Sequence, residues 1–232
     1  MNEVLRQENK YLLNSVDHMR INNKLKSFLQ EDSNNGIDGY KVRSLYFDTI
    51  NDKDYEEKEF GIELRRKIRL RIYDPSNDTA KLEMKQKQGN MQKKRSLTVS
   101  KDDAIELTKG NYYPLLKYED PFATELYGYM TMKCYRPKTI VEYNRLAFIA
   151  KENKTRITLD SSIVATESSF DIFSENLPMY PVIDQFNSVL EVKYNGFLLS
   201  YIKDILNLAD RSPMAVSKYC MARSISMHYN FL

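Results

Sequence analysis

Residues 62–73 alternate between apolar and charged side chains, and this alternation constrains the fold more than any other feature of the sequence. One set of alternate positions is Ile or Leu, except for Arg66, and the other is Glu63, Arg65, Lys67, Arg69, Arg71 and Tyr73. A period of two is typical of a β-strand with one buried face. Four successive cations on the other face repel each other unless water, carboxylates or an anionic ligand compensates their charge. The strand therefore predicts either a solvated sheet surface or an anion-binding face.

The same two-faced pattern recurs along the chain. It predicts further strands at 5–13, 40–49, 80–87, 92–100, 137–150, 155–160 and 189–194. Apolar residues at helical spacing predict helices at 14–31, 101–133 with breaks at Gly110 and Pro121, 197–208 and 213–227, with a short helix or helical turn within 50–60. No repeat, low-complexity segment or linker interrupts this order. We therefore expect a single α+β domain over residues 1–232, with about eight strands and about five helices.

The charged faces of these strands define a set of candidate site residues. They are Glu8, Lys10, Lys67, Arg69, Arg71, Glu83, Lys85, Lys94, Arg145, Arg156, Glu191 and Lys193. Arg145 fits least well, because apolar Val141 and Ala147 share its face. A solvated outer face would mix in more Ser, Thr, Asn and Gln than these strands contain. We therefore expect a closed antiparallel β-barrel with its apolar faces outward under helices and its charged faces lining a basic tunnel.

A tunnel lined by many cations requires an anionic ligand. Arg and Lys bind phosphate oxygens through charge-assisted hydrogen bonds, so a polyphosphate group is the natural candidate. Carboxylates among the cations would suit a divalent metal, since Mg²⁺ and Mn²⁺ prefer oxygen ligands and bridge phosphates. Glu8, Glu83 and Glu191 fit that role. An ion pair with a neighbouring Lys or Arg is the alternative for each, and Asp160 has the same two interpretations.

Composition favours a local anionic ligand over general nucleic-acid binding. The chain has 35 basic and 32 acidic residues and a net charge of only +3, whereas nucleic-acid binders are usually more basic. Cys134 and Cys220 have apolar or aromatic neighbours in the sequence and no metal-binding spacing, so we expect structural thiols in a reducing compartment. His18 and His228 lie far apart, which argues against a histidine-based site.

The N-terminal residues are polar and charged, which is unlike a signal peptide. No apolar run approaches the ~20 residues that a membrane-spanning helix needs. We therefore expect a cytoplasmic protein without a membrane segment of its own.

An ordered series of motifs resembles a known family. It includes Ser44-Leu-Tyr-Phe-Asp-Thr49, Lys67-Ile-Arg-Leu-Arg-Ile-Tyr73, Leu82-Glu-Met-Lys85, Arg156-Ile-Thr-Leu-Asp160 and Leu190-Glu-Val-Lys-Tyr194. These motifs resemble the triphosphate tunnel metalloenzymes (the CYTH-like superfamily), and more closely their vacuolar transporter chaperone (VTC), or polyphosphate polymerase, branch. The resemblance extends from about Glu8 to Arg223.

The resemblance implies a fold, an activity and a set of site residues. The family fold is an antiparallel barrel around a basic tunnel, and its polymerases transfer the γ-phosphoryl group of ATP to a growing polyphosphate chain with Mn²⁺ or Mg²⁺. Glu191 and Glu8 would hold the metal, and the catalytic set would be Arg69, Arg71, Lys85 and Glu191. The phosphate-binding set would be Lys10, Lys67, Arg69, Arg71, Lys85, Lys94, Arg145, Arg156, Lys193 and Lys218.

The first strand departs from the pattern of many tunnel enzymes. They begin with Glu-x-Glu-x-Lys, whereas this chain has Arg6-Gln-Glu8-Asn-Lys10, so one carboxylate is replaced. The departure favours a polymerase over a triphosphatase that uses a metal-bound water. A non-catalytic polyphosphate or nucleotide sensor and a single-stranded nucleic-acid binder are further hypotheses. We expect ATP and inorganic polyphosphate as ligands and no nucleic acid, and the resemblance implies a membrane-protein partner.

Overall fold

A computed structural model of the chain describes residues 6–89, 91–209 and 213–229. Its strands are β1 (Arg6–Leu13), β2 (Gln30–Glu31), β3 (Tyr40–Thr49), β4 (Leu64–Ile72), β5 (Thr79–Gln88), β6 (Met91–Ser100), β7 (Tyr135–Ala150), β8 (Thr155–Thr166), β9 (Tyr180–Pro181) and β10 (Ser188–Asn195). Its helices are α1 (Ser15–Phe28), α2 (Lys53–Glu59), α3 (Lys101–Thr108), α4 (Pro121–Met132), α5 (Ser200–Leu206) and α6 (Lys218–Tyr229). Two parts of the chain that the predictions used lie outside the described residues. They are residues 2–5, which indicated that there is no signal peptide, and the side chain of His228.

The predicted strands are confirmed, mostly with ends shifted by one or two residues. The strand predicted at 155–160 is longer and continues to Thr166, and the two-residue strands β2 and β9 were not predicted. The last helix was predicted to start at Pro213 but begins at Lys218. The backbone N–H of Met214 instead donates a hydrogen bond to the carbonyl of Lys10 at 2.7 Å. This bond ties the segment before α6 to the edge of β1, so it does not join the helix.

The ten strands belong to one sheet, and the prediction of a closed barrel is wrong. The strand order is β1-β10-β8-β7-β3-β4-β5-β6, with β2 beside β7 and β9 beside β8. Closing a barrel requires the first and last strands to pair, but β1 and β6 are not paired with each other in the described ranges. Alternation within a strand determines which face a side chain occupies, and it carries no information about which distant strands meet. That is why the local pattern predicted the strands and not the closure.

The chain divides into two compact units, of which the first comprises 1–41, 143–163 and 181–217. Its core joins the apolar face of β1, β8 and β10 to α1 and α5 through residues such as Leu13, Ile21, Ile157, Leu190 and Ile202, all of them at most 1% exposed. Asn14 caps α1 by accepting a hydrogen bond from the backbone N–H of Asp17 at 2.8 Å.

The second unit comprises 42–142, 164–180 and 218–232. Ile68, Leu70 and Ile72 of β4 are at most 1% exposed and belong to one apolar cluster with Leu107 of α3 and Leu126 of α4. Burial of each such side chain contributes roughly 1.5–3 kcal/mol, so this face strongly determines the orientation of β4. The predicted packing of the apolar strand face against helices is therefore confirmed in this unit. The single domain over 1–232 stays a prediction.

Neither Cys134 nor Cys220 forms a disulfide within the described residues, and their surroundings differ. Cys220 is buried in α6, as expected of a structural thiol. Cys134 is exposed, contrary to the apolar surroundings that were predicted. It follows the end of α4 with a left-handed backbone, at φ 52°, which places it in the turn between α4 and β7.

Candidate functional site

In the second unit, three cations converge on one buried carboxylate. Arg69 and Glu83 are directly opposite each other on β4 and β5, and Arg69 Nε donates a hydrogen bond to Glu83 Oε2 at 2.8 Å. Arg71 Nη1 lies 3.7 Å from the same oxygen, and Lys94 of β6 pairs with Glu83 Oε1. Glu83 is only 3% exposed. Of the two interpretations that the sequence left for Glu83, the structure shows the ion pair.

The charge balance around Glu83 shifts its pKa strongly. Burial alone would raise the pKa of this carboxyl, but Arg69, Arg71 and Lys94 outweigh that effect and hold the pKa at about 2. The carboxylate is thus charged at any physiological pH. One negative charge faces three positive ones, so the cluster retains an excess of positive charge that an anion can neutralise.

Two buried polar atoms beside this cluster have no hydrogen-bond partner among the described residues. Ser44 of β3 is directly opposite Arg71 of β4. Ser44 Oγ and Arg71 Nε are both unpartnered, while the two residues are 0% and 8% exposed. Leaving a buried donor unsatisfied costs roughly 1–3 kcal/mol, so such donors usually have a function or a ligand. Both atoms are suited to donate to the oxygens of a bound phosphate.

Tyr46 belongs to the cationic face. From the sequence, Ser44, Tyr46 and Asp48 share one strand face, where ordinary packing or the orientation of neighbouring groups is expected. Its hydroxyl accepts a hydrogen bond from Arg69 Nη1 at 3.2 Å, and its ring centroid lies 5.2 Å from that of Tyr219 on α6. Lys67 Nζ lies 5.8 Å and 5.5 Å from the centroids of these two rings. Burial would raise the pKa of the Tyr46 phenol, but Arg69 and Lys67 outweigh it and lower the pKa to about 8. The contact of Tyr46 with Arg69 follows from their directly opposite positions on β3 and β4. Those positions depend on the register of the two strands, which the sequence does not show.

The other predicted residues of this unit extend the cationic face. Lys67, Lys85 and Lys94 occupy directly opposite positions across β4, β5 and β6. Lys218 is the first residue of α6 and precedes Tyr219, which is buried and donates a hydrogen bond to Asp48 Oδ2 at 2.6 Å. The structure thus brings Lys67, Lys85 and Lys94 onto the face that carries Arg69 and Arg71.

In the first unit, β1 and β10 carry two carboxylates and two lysines on one face. Glu8 is directly opposite Lys193, and Lys10 is directly opposite Glu191. Lys10 Nζ lies 3.1 Å from Glu8 Oε1, and Lys193 Nζ lies 2.6 Å from Glu191 Oε1. Burial lowers the pKa of Lys193, although Glu191 and Glu8 oppose the shift. The four predicted residues therefore form one compact group of alternating charge.

Arg145 joins this group through carboxylates on two strands. Its Nε and Nη2 donate to the two oxygens of buried Asp160 at 2.6 and 2.8 Å, and Nη2 lies 3.9 Å from Glu191 Oε2. Such a bidentate pair fixes the guanidinium plane. Thr158, directly opposite Glu191 on β8, is buried, and its Oγ1 has no hydrogen-bond partner in the part of the chain that the structure describes. Asp160 is thus an ion-pair partner, which the sequence left undecided.

Arg156 is held by groups that sequence reasoning did not include. Its Nη1 lies 2.7 Å from Asp32 Oδ2, and its Nη2 donates a hydrogen bond to the Tyr40 hydroxyl at 3.1 Å. Asp32 follows β2, a strand too short to be predicted from its sequence, so no local pattern points to this pairing.

The carboxylates of the first unit fit a simple metal site. No group of three or more His, Cys, Asp or Glu side chains that could hold a metal ion occurs within residues 6–89, 91–209 and 213–229. Glu8 and Glu191 nevertheless lie on one face of adjacent strands, at diagonal positions of the register. Mg²⁺ is usually held by one or two carboxylates together with substrate phosphates. Glu8 and Glu191 would hold the metal in such a site, and the metal would supply positive charge to bound phosphate.

Comparison with known proteins identifies the family. The VTC domain matches residues 5–227, so the chain belongs to the VTC domain family, and the resemblance seen in the sequence is confirmed. Membership supports a function in handling polyphosphate or nucleotides, through a phosphotransferase or a triphosphatase activity. No curated protein matches the chain significantly.

Solved structures show the same fold at low sequence identity. A putative adenylate cyclase from Bacillus halodurans superposes with a TM-score of 0.55 and 13% identity, covering 91% of this chain and 95% of that one. A chain of the Schizosaccharomyces pombe Mediator head module gives 0.50 and 8%, with 88% and 91% covered. A protein from Pyrococcus horikoshii gives a lower TM-score of 0.47 and 11% identity, with 95% and 99% covered.

None of the helices in the described residues is both long enough and apolar enough to cross a membrane.

Proposed function

We propose that this VTC domain transfers the γ-phosphoryl group of ATP to the end of an inorganic polyphosphate chain bound on its cationic sheet faces. The observation that carries the proposal is the buried pair of Arg71 and Ser44. Their unpartnered donors stand beside a cluster with three cations and one carboxylate. An uncharged substrate could accept hydrogen bonds from these donors but would leave the excess positive charge uncompensated, and a cationic one would add to it. Phosphate oxygens satisfy both.

The reaction needs little covalent help from protein groups. The bond between the γ-phosphorus and the oxygen that bridges it to the β-phosphate breaks, and ADP leaves with the electron pair. A terminal oxygen of the polyphosphate forms the new bond to the same phosphorus. Such a transfer depends on in-line positioning and on neutralisation of the charge on the phosphoryl oxygens. Arg69, Arg71 and Lys85 would supply both, so no protein nucleophile is proposed.

The carboxylates have a separate role in this proposal. Glu8 and Glu191 would hold Mn²⁺ or Mg²⁺, which would supply positive charge to neutralise phosphate. Lys10, Arg145, Arg156, Lys193 and Lys218 would bind further phosphates. Asp160 orients Arg145, and Asp32 orients Arg156, through the ion pairs described above.

Incubation of the purified chain with ATP and Mn²⁺ tests the proposal. We expect long-chain polyphosphate and ADP as products, measured by gel electrophoresis and by a coupled ADP assay. Arg71→Ala should lower the rate roughly 10- to 100-fold, as expected for loss of a charge-assisted hydrogen-bond donor. Lys109→Ala is the matched control, because Lys109 is an exposed cation directly after α3 whose salt bridge is to Glu106. Equal rates in the two variants would overturn the role of Arg71.

Other products would identify other functions. Free phosphate or pyrophosphate without chain growth would identify a triphosphatase. Tight binding of ATP or polyphosphate without turnover, unchanged in Glu191→Gln, would identify a sensor. A cytoplasmic location and a membrane-protein partner stay predictions from the sequence and its family resemblance.

A further inference from the structure

The cationic face of the second unit continues beyond the cluster around Glu83. Along β4, the same face carries Arg71, Arg69, Lys67 and then Arg65. Arg65 is directly opposite Lys87 of β5, which in turn is opposite Gln92 of β6. Six residues separate Arg71 from Arg65, so at ~3.4 Å per residue the row is about 20 Å long.

The far end of this row lacks the compensation that Glu83 provides at the other end. Among the described residues, Arg65 and Lys87 form no ion pair, although each is half-buried. Glu63, which shares their face two residues before Arg65, is exposed and lies beyond ion-pair distance of both. Arg65 Nη1 donates a hydrogen bond to the carbonyl of Ile62 at 3.0 Å. Like charges directly opposite each other destabilise an antiparallel ladder. An anion that lies across both side chains would remove this repulsion.

The geometry favours one class of anion over others. A ligand with few phosphates makes its contacts at one end of the row, whereas a long linear polyanion can follow the row along its whole length. A single strand, β4, supplies the four cations of the row, so they follow one another along one direction. The opposite face of the same strand is the buried core face of Ile68, Leu70 and Ile72, so the ligand is confined to the charged side.

We propose that Arg65 and Lys87 form an additional binding site for the part of a polyphosphate chain that extends beyond the phosphates at Arg69 and Arg71. This inference rests on the proposed function, since it assumes that polyphosphate occupies this face. Its consequence is a dependence of affinity on chain length. Long polyphosphate contacts both ends of the row, and tripolyphosphate contacts only one.

The double variant Arg65→Gln/Lys87→Gln tests this site by calorimetry against tripolyphosphate and long-chain polyphosphate. We expect the affinity for long polyphosphate to fall roughly 10-fold, as for the loss of two accessible phosphate contacts, and that for tripolyphosphate to change less than about 2-fold. The slope of log affinity against log salt for the long chain should fall by about 1 to 2. An equal change for both ligands, or no change for either, would overturn the proposal.

Lys93→Gln/Lys133→Gln is the matched control, because it removes the same charge from two exposed lysines outside this row. It should leave both affinities unchanged, and a loss equal to that of the test variant would show a general charge effect and overturn the site. Arg65→Lys/Lys87→Arg keeps the charges and should retain long-chain binding; a loss there would overturn the charge-based argument. Thermal unfolding of each variant reports whether it is folded.

Two further measurements separate this site from the proposed reaction and from general polyanion binding. If the parent protein binds long polyphosphate more tightly than tripolyphosphate but makes none from ATP, the proposed reaction fails and the site stands. If the double variant weakens binding of a single-stranded oligonucleotide as much as that of polyphosphate, the row is an unselective cationic surface and the proposal is overturned.

Discussion

Tyr46 and Arg69 are directly opposite each other on β3 and β4, and the guanidinium of Arg69 donates a hydrogen bond to the Tyr46 hydroxyl at 3.2 Å. Glu83 accepts a second hydrogen bond from the same guanidinium at 2.8 Å. Arg69 is therefore held from two sides before any ligand arrives. A group that is already ordered loses less conformational entropy on binding, so this arrangement favours tight binding of phosphate.

Removing the Tyr46 hydroxyl should change how phosphate binding depends on pH. With a pKa of about 8, the Tyr46 phenol becomes negatively charged as pH rises, and that charge opposes an anionic ligand. The affinity of the parent for tripolyphosphate should therefore fall between about pH 7 and pH 9, and Tyr46→Phe should lack this fall. At pH 7 the variant should bind about 5-fold more weakly, through loss of one hydrogen bond.

Calorimetric titrations across this pH range would measure the effect. Lys67, Arg69, Arg71 and Tyr219 are the other titratable groups around the phenol. Tyr118→Phe is a matched control, because the Tyr118 hydroxyl donates to Asp103, away from the cationic face. The same pH slope in Tyr46→Phe and the parent would show that another group causes the dependence.

Glu83 should make the folded protein sensitive to acid. Its pKa falls from an ordinary 4.5 to about 2, so below pH 4.5 the unfolded chain binds a proton that the folded chain does not. Stability that is present above pH 4.5 is therefore lost as the pH falls towards 2, by on the order of 3 kcal/mol. Denaturant unfolding should show this loss in the parent and a smaller one in Glu83→Gln.

At neutral pH, Glu83→Gln should be destabilised by about 3 kcal/mol, because three cations lose their buried partner. Polyphosphate should then stabilise the variant more than the parent, since the ligand supplies the missing negative charge. Equal stabilisation of both proteins would show that the ligand does not contact this cluster.

The faces of the strands could be predicted from the sequence, because extended backbone forces successive side chains to opposite sides of a sheet. Ile68 and Arg69 therefore lie on the predicted sides. The same reasoning could not predict that Glu83 contacts Arg69, Arg71 and Lys94, since that depends on the register of three strands. A shift of one residue in β5 would place Glu83 on the other face.

Barrel closure and the partners of Arg156 could not be predicted for a related reason. Both depend on contacts between segments far apart in sequence. The hydrogen bond between Met214 and Lys10, at the edge of β1, is one such contact. The family resemblance implied a closed barrel, and this chain does not show it. Asp32 follows the two-residue strand β2, which has no periodic pattern, and Tyr40 begins the predicted strand β3, whose pattern does not show that it contacts β8. Neither was therefore a candidate partner of Arg156.

Ile68→Asp should unfold the second unit or destabilise it by more than about 4 kcal/mol, because it places an unpaired charge in the apolar cluster. Ile62→Asp is a matched control with the same chemical change, at a side chain that is 47% exposed, and should cost less than about 0.5 kcal/mol. Urea unfolding of both variants measures the difference. If Ile68→Asp were as stable as Ile62→Asp, the faces of β4 would be assigned backwards.

Asp54→Asn should stabilise the protein at neutral pH. Asp54 is 3% exposed, and burial together with nearby Asp48 raises its pKa to about 8. At a pH between 3.8, the ordinary pKa of an aspartate, and about 8, Asp54 keeps a proton in the folded chain that it has lost in the unfolded chain. The stability of the parent therefore falls as the pH rises through this range. The variant has no such proton and should be more stable at pH 8 by on the order of 3 kcal/mol.

Asp48→Asn provides the contrast for Asp54→Asn. The carboxylate of Asp48 accepts hydrogen bonds from the backbone N–H groups of Thr49, Asp54 and Tyr55 and from the Tyr219 hydroxyl, at 2.6–2.9 Å. The Asn amide oxygen can still accept two of these hydrogen bonds, but the amide nitrogen cannot accept the other two, so this variant should lose roughly 2–4 kcal/mol. Chemical denaturation at pH 6 and pH 8 should thus move the two Asp→Asn variants in opposite directions. A loss of stability in both would show that Asp54 is a charged structural carboxylate at neutral pH.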